Sequence, residues 1–201
     1  MPQSNSSGFQ DDKKKTAWQA EAWEMYNTVG ELSAVCQWIG SSAARVGLYA
    51  ADVDPDTGRT NSPSDNRLAR QIVRDIGGGA EGTVELLRHA ATLLTVVGEF
   101  YIAIITDDNT GEEQWLVIPT NHVSKTIRGE WEIKLGEKKH IINDDTESLF
   151  KVWIKSPNEP TESRSSVRAA LPVLREIRAM DRIIAAAARS RVSGNGILIV
   201  P

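Results

Sequence analysis

Asp52, Asp54 and Asp56 stand at alternate positions ahead of Gly58, the arrangement in which carboxylates line a calcium-binding loop. Here the glycine falls at the seventh position instead of the sixth, and the twelfth is Pro63 where a bidentate Glu belongs. An exposed, Asx-rich turn is the better reading. Gly77-Gly78-Gly79-Ala80-Glu81-Gly82 has the spacing of a dinucleotide fingerprint. That fingerprint needs a strand before its first glycine, whereas Arg67 to Ile76 carries a helical pattern, and Glu81 would set a carboxylate beside the phosphate. The glycines therefore read as a turn between helices that permits positive φ. His89, His122 and His140 fall on a helix, a loop and a strand, with no two at ligand spacing. Cys36, on an apolar helix face, reads as a small buried hydrophobe. No nucleophile elbow, phosphate loop or zinc-protease helix occurs. The expectation is a non-enzyme with no catalytic, cofactor-binding or metal residues.

One pattern remains with chemistry to offer. Arg168, Arg175, Arg178, Arg182 and Arg189 are separated by seven, three, four and seven residues, which aligns them along one stripe of a helix. Val173, Ile177, Met180, Ile184 and Ala187 run along another, roughly opposite. Planar guanidinium groups suit the carboxylates of a neighbouring subunit or nucleic-acid phosphates, and the plainer alternative is a solvated face with local pairs such as Arg178 with Asp181. Among six Trp, Trp18 and Trp23 are natural interface anchors. Trp18, Trp23 and the five arginines form the candidate subunit interface.

The elements that must hold these residues follow from periodicity. Residues 1–16 are a polar lead-in, expected as a mobile tail ahead of an α+β domain over 17–201. From Ala17 to Ser42, Trp18, Ala22, Met25, Val29, Leu32, Cys36 and Ile39 recur at helical steps, with Gly30 and Gly40 as weak points. Val46 to Ala50 reads as a strand. Asp65-Asn66 caps a second helix with Leu68, Ile72, Val73 and Ile76 as its apolar face, and Thr83 starts a third that Gly98 stops. Phe100–Ile105 and Gln114–Ile118 form a hairpin around Asp107–Gly111. Trp131–Leu135, His140–Ile142 and Phe150–Ile154 add strands, giving one small antiparallel meander. Ser165-Ser166 opens a long helix to about Val192, with Pro172 either kinking it or marking its true first turn. Ile197–Pro201 reads as a terminal strand.

Composition sets the outer bounds. With 201 residues, 40% hydrophobic and 25% charged, the chain matches a globular domain that needs no disulfide framework, consistent with its single cysteine. Net charge is −4, which excludes a polycation coating nucleic acid or membrane. The charge is uneven: from Thr161 onward seven Arg stand against Glu162, Glu176 and Asp181, a net of +4 that leaves −8 for residues 1–160. No apolar run approaches the ~18 residues of a membrane span, and no secretion signal leads the chain.

At the arginine-bearing helix the residues resemble the N-terminal half of tailed-bacteriophage portal proteins, in particular those of actinobacterial phages with long tails. The stretch is Glu162-Ser163-Arg164-Ser165-Ser166-Val167-Arg168-Ala169-Ala170-Leu171-Pro172-Val173-Leu174-Arg175-Glu176-Ile177, continued by Ser190-Arg191-Val192-Ser193-Gly194-Asn195-Gly196-Ile197-Leu198. Val29–Val46 and Val152–Asn158 fit more loosely. The resemblance implies a wing-like α+β domain with long helices around a small sheet. It implies a structural, non-enzymatic ring of about twelve subunits at a capsid vertex. Double-stranded DNA passes through that ring in packaging and ejection without sequence-specific binding. Further implied partners are the major capsid protein, the packaging terminase and a head-tail adaptor, the last two through stem, clip and crown regions expected after Pro201. The implied location is the virion, assembled in the host cytoplasm, with no membrane and no cofactor. The alternative is a free-standing α+β module using the arginine stripe to bind DNA or an acidic protein.

Overall fold

The computed structural model describes residues 7–106, 111, 113–159 and 161–193. The hairpin turn over 107–110 and the expected strand over 197–201 lie outside them. Two helices, α1 (Ser7–Thr28) and α2 (Gly30–Ala43), open the chain. The helix starts at Ser7, well before Ala17, as the lead-in contains Gln10, Lys13, Lys14 and Lys15, which are good helix formers. One continuous helix to Ser42 is corrected to two. Val29 is extended, with φ −106° and ψ 106°, a geometry that suits a β-branched residue, and the flexible Gly30 follows it. The break costs no burial, since Ala22, Met25, Val29 and Cys36 all face the core.

The expected strand at Val46–Ala50 is displaced: β1 (Ala51–Val53) pairs antiparallel with β2 (Thr60–Pro63) around the acidic turn. Asp54 Oδ1 accepts from the backbone N–H of Asp56 at 2.8 Å and of Thr57 at 3.2 Å. These bonds hold its carboxyl below the usual range, so this is an Asx turn. Among the described residues no cluster of His, Cys, Asp or Glu is placed to hold a metal ion. Next, α3 (Arg67–Asp75) is capped as expected, the Asn66 carboxamide oxygen accepting from Leu68 and Ala69. Its apolar positions are not a core face, however. Leu68 and Ile72 are exposed: α3 adds no residue to either buried cluster, rests mainly on the short 3-10 turn Ile76–Gly78, and turns these two side chains to a cleft bordered by Trp115.

Helix α4 (Ala80–Val96) begins three residues ahead of Thr83, whose hydroxyl instead donates back to the Ile76 and Gly79 carbonyls. The glycine turn is required by contact as well as by φ: a Cβ on Gly82 would lie 1.6 Å from the Gly77 carbonyl oxygen. Gly98, at φ +75°, ends α4 by donating to the Leu93 carbonyl.

The single meander is corrected to two three-stranded antiparallel sheets, ordered β4-β3-β8 and β5-β6-β7. The strands are β3 (Glu99–Thr106), β4 (Glu113–Ile118), β5 (Val123–Lys125), β6 (Trp131–Leu135), β7 (Lys138–Ile141) and β8 (Ser148–Trp153). The last strand crosses back to β3, pairing Phe100 with Val152 and Ala103 with Leu149. β3 is consequently apolar on both faces. Phe100 and Ile102 pack on the helices, whereas Tyr101, Ala103 and Ile105 pack towards Ile133 and Ile142 of the second sheet region. Glu147 pins the connecting loop. Its carboxylate accepts from the Asn143 N–H and meets His140 Nε2, both at 2.9 Å.

Helix α5 (Ser166–Ser193) runs through Pro172 as one element. Ser165 is its cap, the hydroxyl oxygen accepting from Val167 at 3.0 Å while donating to the Val96 carbonyl at 2.7 Å. The architecture is mixed helix and strand, with α1, α2, α4 and α5 packed around one face of the β4-β3-β8 sheet. No helix among the described residues is long and apolar enough to cross a membrane.

Candidate interaction surface

The arginine stripe meets α1 of its own chain. Arg175 grips Glu21 with two hydrogen bonds, Nε to Oε1 at 2.6 Å and Nη2 to Oε2 at 2.7 Å. One turn on, Arg178 Nη1 lies 2.6 Å from Glu24 Oε1. The match is geometric, because Glu21 and Glu24 are three residues apart on α1 just as Arg175 and Arg178 are on α5. The Arg175 hydrogen bond holds the Glu21 carboxyl below its ordinary range, and Glu21 raises the arginine in turn. Arg168 pairs with Glu162 at 3.0 Å and lies 5.0 Å from the centre of the Trp18 ring. The local Arg178–Asp181 pair is not formed, since Glu24 takes the guanidinium. Arg182 is exposed with no ion-pair partner among the described residues, and Arg189 Nε donates to the Ala185 carbonyl at 3.1 Å.

The two tryptophans are half-buried and pack against the helical core. Trp23 meets Tyr26 edge-on at 5.6 Å and borders a cleft of about 530 Å³ with Gln19, Asn27 and Asn121. Nearby, Gln19 Nε2 donates to Glu99 Oε1 at 2.7 Å, and Lys151 closes on the other carboxylate oxygen at 2.8 Å. Buried Glu99 thus ties α1 to the sheet through two partners. Trp18, Arg168, Arg175 and Arg178 are brought together as an internal seam, and Arg182 and Arg189 lie apart from it.

What the molecule presents outward is different. Beyond Ile177 and Arg178 every described side chain of α5 is exposed, Met180, Ile183 and Ile184 included. A second exposed apolar group, Val35, Trp38, Val46 and Tyr49, covers the far side of α2 and the loop after it. Sequence reasoning missed this group by following only the buried face of the first helix. Trp38, three residues after Val35 and seven before Arg45, carried the signal.

This architecture has solved counterparts. A chain from the neck of an empty gene transfer agent particle, computed with C6 symmetry, matches at TM-score 0.56 and 14% identity, over 90% of this chain and 48% of that one. A chain from the virion of a native gene transfer agent particle matches at TM-score 0.53 and 13% identity, over 90% and 46%. The fold occurs in a particle neck. The chain spans about half the length of these structural counterparts. No family model matches the sequence, and no curated protein does.

Proposed function

We propose that this chain is a structural, non-enzymatic subunit of a phage-type head-to-tail connector, a portal ring at the capsid vertex. The observation that carries the reading is the fold shared over 90% of the chain with a particle-neck protein. The motif Ser165-Ser166-Val167-Arg168 through Leu171-Pro172-Val173-Leu174-Arg175-Glu176 supports it from the sequence side. In this reading copies of the chain form a ring of about twelve, which contacts the major capsid protein and surrounds the path of double-stranded DNA in packaging and ejection.

The alternative of a DNA-binding module is weakened by the seam. Arg168, Arg175 and Arg178 already face carboxylates of the same chain, so most of the stripe is not free for phosphates, and the rest of the chain carries a net negative charge. Negative-stain imaging with light scattering, across protein concentration and salt, tests the reading. Closed rings of about a dozen copies are expected. Monomers at every concentration, with duplex-DNA affinity that falls steeply with salt, would reverse the choice.

A further inference from the structure

Two helices of this chain each carry an apolar seam turned away from the core. On α2 the buried side is Cys36 and Gly40, the latter so close to α4 that a Cβ would meet the Thr92 hydroxyl at 2.8 Å. The opposite side carries Val35, Trp38 and Ser42, with Val35 53% and Trp38 71% exposed, and Arg45 follows in the turn just past the helix end, its N–H bonded to the Ser42 carbonyl. On α5 the buried side is Val167, Leu171 and Leu174. Its opposite side carries Glu176, Met180, Ile183 and Ala187, with Met180 60% and Ile183 68% exposed. Both sets step by three and four residues, the spacing of a seam between two packed helices. Both helices pack inward on α1 and α4, which leaves the two seams on the outside of the helical layer.

We infer that the outward seam of α2 docks antiparallel on the outward seam of α5 from a second copy of this chain. Laid antiparallel, Arg45 meets Glu176, Ser42 meets Met180, Trp38 meets Ile183 and Val35 meets Ala187. The register is set by charge as well as by steps. Arg45 and Glu176 are exposed, neither has an ion-pair partner among the described residues, and the antiparallel alignment puts their opposite charges at the same end. Between them Trp38 supplies the large, amphipathic side chain that dominates protein contacts. Because the two seams are different surfaces, the contact is head-to-tail: each copy offers one seam to each neighbour, which closes into a ring or runs on as a filament. A self-paired antiparallel α5 seam would instead set Met180 against Ile183 and Glu176 against Ala187 of an identical helix, and so would give Glu176 no opposite charge. This inference rests on the proposed ring reading and names the surfaces that would close it.

The test is cross-linking between copies in a Cys36→Ser background. Trp38→Cys protein is mixed with Ile183→Cys protein under oxidising conditions, each variant is also oxidised alone, and particle mass is read in parallel. The expected result is efficient disulfide formation only in the mixture. Arg45→Glu and Glu176→Arg, both on exposed positions, should each weaken association at least tenfold, and combining them should restore it. Rings that form without the mixed cross-link overturn this contact and leave the ring reading standing. Cross-linking of Ile183→Cys protein with itself points to a symmetric pair and also overturns it. Cross-linked open chains support the contact and remove the closed ring. Monomers with no cross-link remove both.

Discussion

The two halves of α5 belong to one helix and have opposite fates. Over Ser166–Arg178, Val167, Leu171 and Leu174 are buried and Arg175 and Arg178 are matched to carboxylates of α1. Over 179–189 every side chain is exposed. The sequence does not change character between them, since arginines and branched aliphatic residues continue at helical spacing throughout. Amphipathic pattern therefore specifies that a helix has two unlike faces, and leaves open which face the chain's own core will cover. In the first half the internal core covers the aliphatic positions and α1 covers the arginines. In the second half no described residue of the same chain covers either.

Substitutions can separate the halves, and the largest effects are expected in the first. Leu171→Ala or Leu174→Ala should cost about 2–5 kcal/mol of unfolding free energy in denaturant titration, through lost burial and the cavity left behind. Ile183→Ala, the same kind of truncation in the second half, should stay within about 0.5 kcal/mol when both proteins are titrated at concentrations where they are monomeric. Equal losses would mean that the outer half is covered within one chain.

Ser165→Ala removes the cap of α5 together with a hydrogen bond to the end of α4, and about 1–2 kcal/mol should be lost in the same titration. Glu147 supplies a control remote from α5. Burial pushes its carboxyl up, but hydrogen bonds from the Asn143 backbone and His140 outweigh that, so its folded value lies below the ordinary carboxylate range. Such a group stabilises fully above its unfolded value, and the contribution fades as pH falls through the lowered folded one. Glu147→Gln should flatten that acid-side decline, while stability at neutral pH drops by about 1–3 kcal/mol.

The smallest change is expected at the exposed Glu21–Arg175 pair. Glu21→Gln should scarcely alter the unfolding midpoint, because water and salt already screen the two groups. A large shift there would show the seam to be a structural determinant instead of a positioning contact between α1 and α5.

Much of this was legible in the sequence, and the failures share a cause. The caps at Asn66 and Ser165, the stop at Gly98, the hairpin of β3 and β4 and the burial of Cys36 all follow from local chemistry. The partners of the arginines did not, because Glu21 and Glu24 lie on a helix far earlier in the chain, and nothing local to Arg175 or Arg178 points to them. The split into two sheets was equally hidden, since β8 pairs back to β3 across the whole β5-β6-β7 unit. Leu68 and Ile72 have core-like spacing on α3, yet both are exposed, at the edge of a cleft beside Trp115. Trp38 was legible as a residue and not as a surface, because the buried face of the same helix explained the pattern well enough on its own.

Native mass spectrometry of the unaltered chain beside Ile183→Glu, with circular dichroism of both, addresses the difference between the two halves most directly. Both proteins should show the same helical signal, with the unaltered chain in ring-sized assemblies and the variant as a folded monomer whose unfolding midpoint is no higher than that of the assembled chain. Assemblies of equal mass from both proteins, or an unfolded variant, would contradict the account.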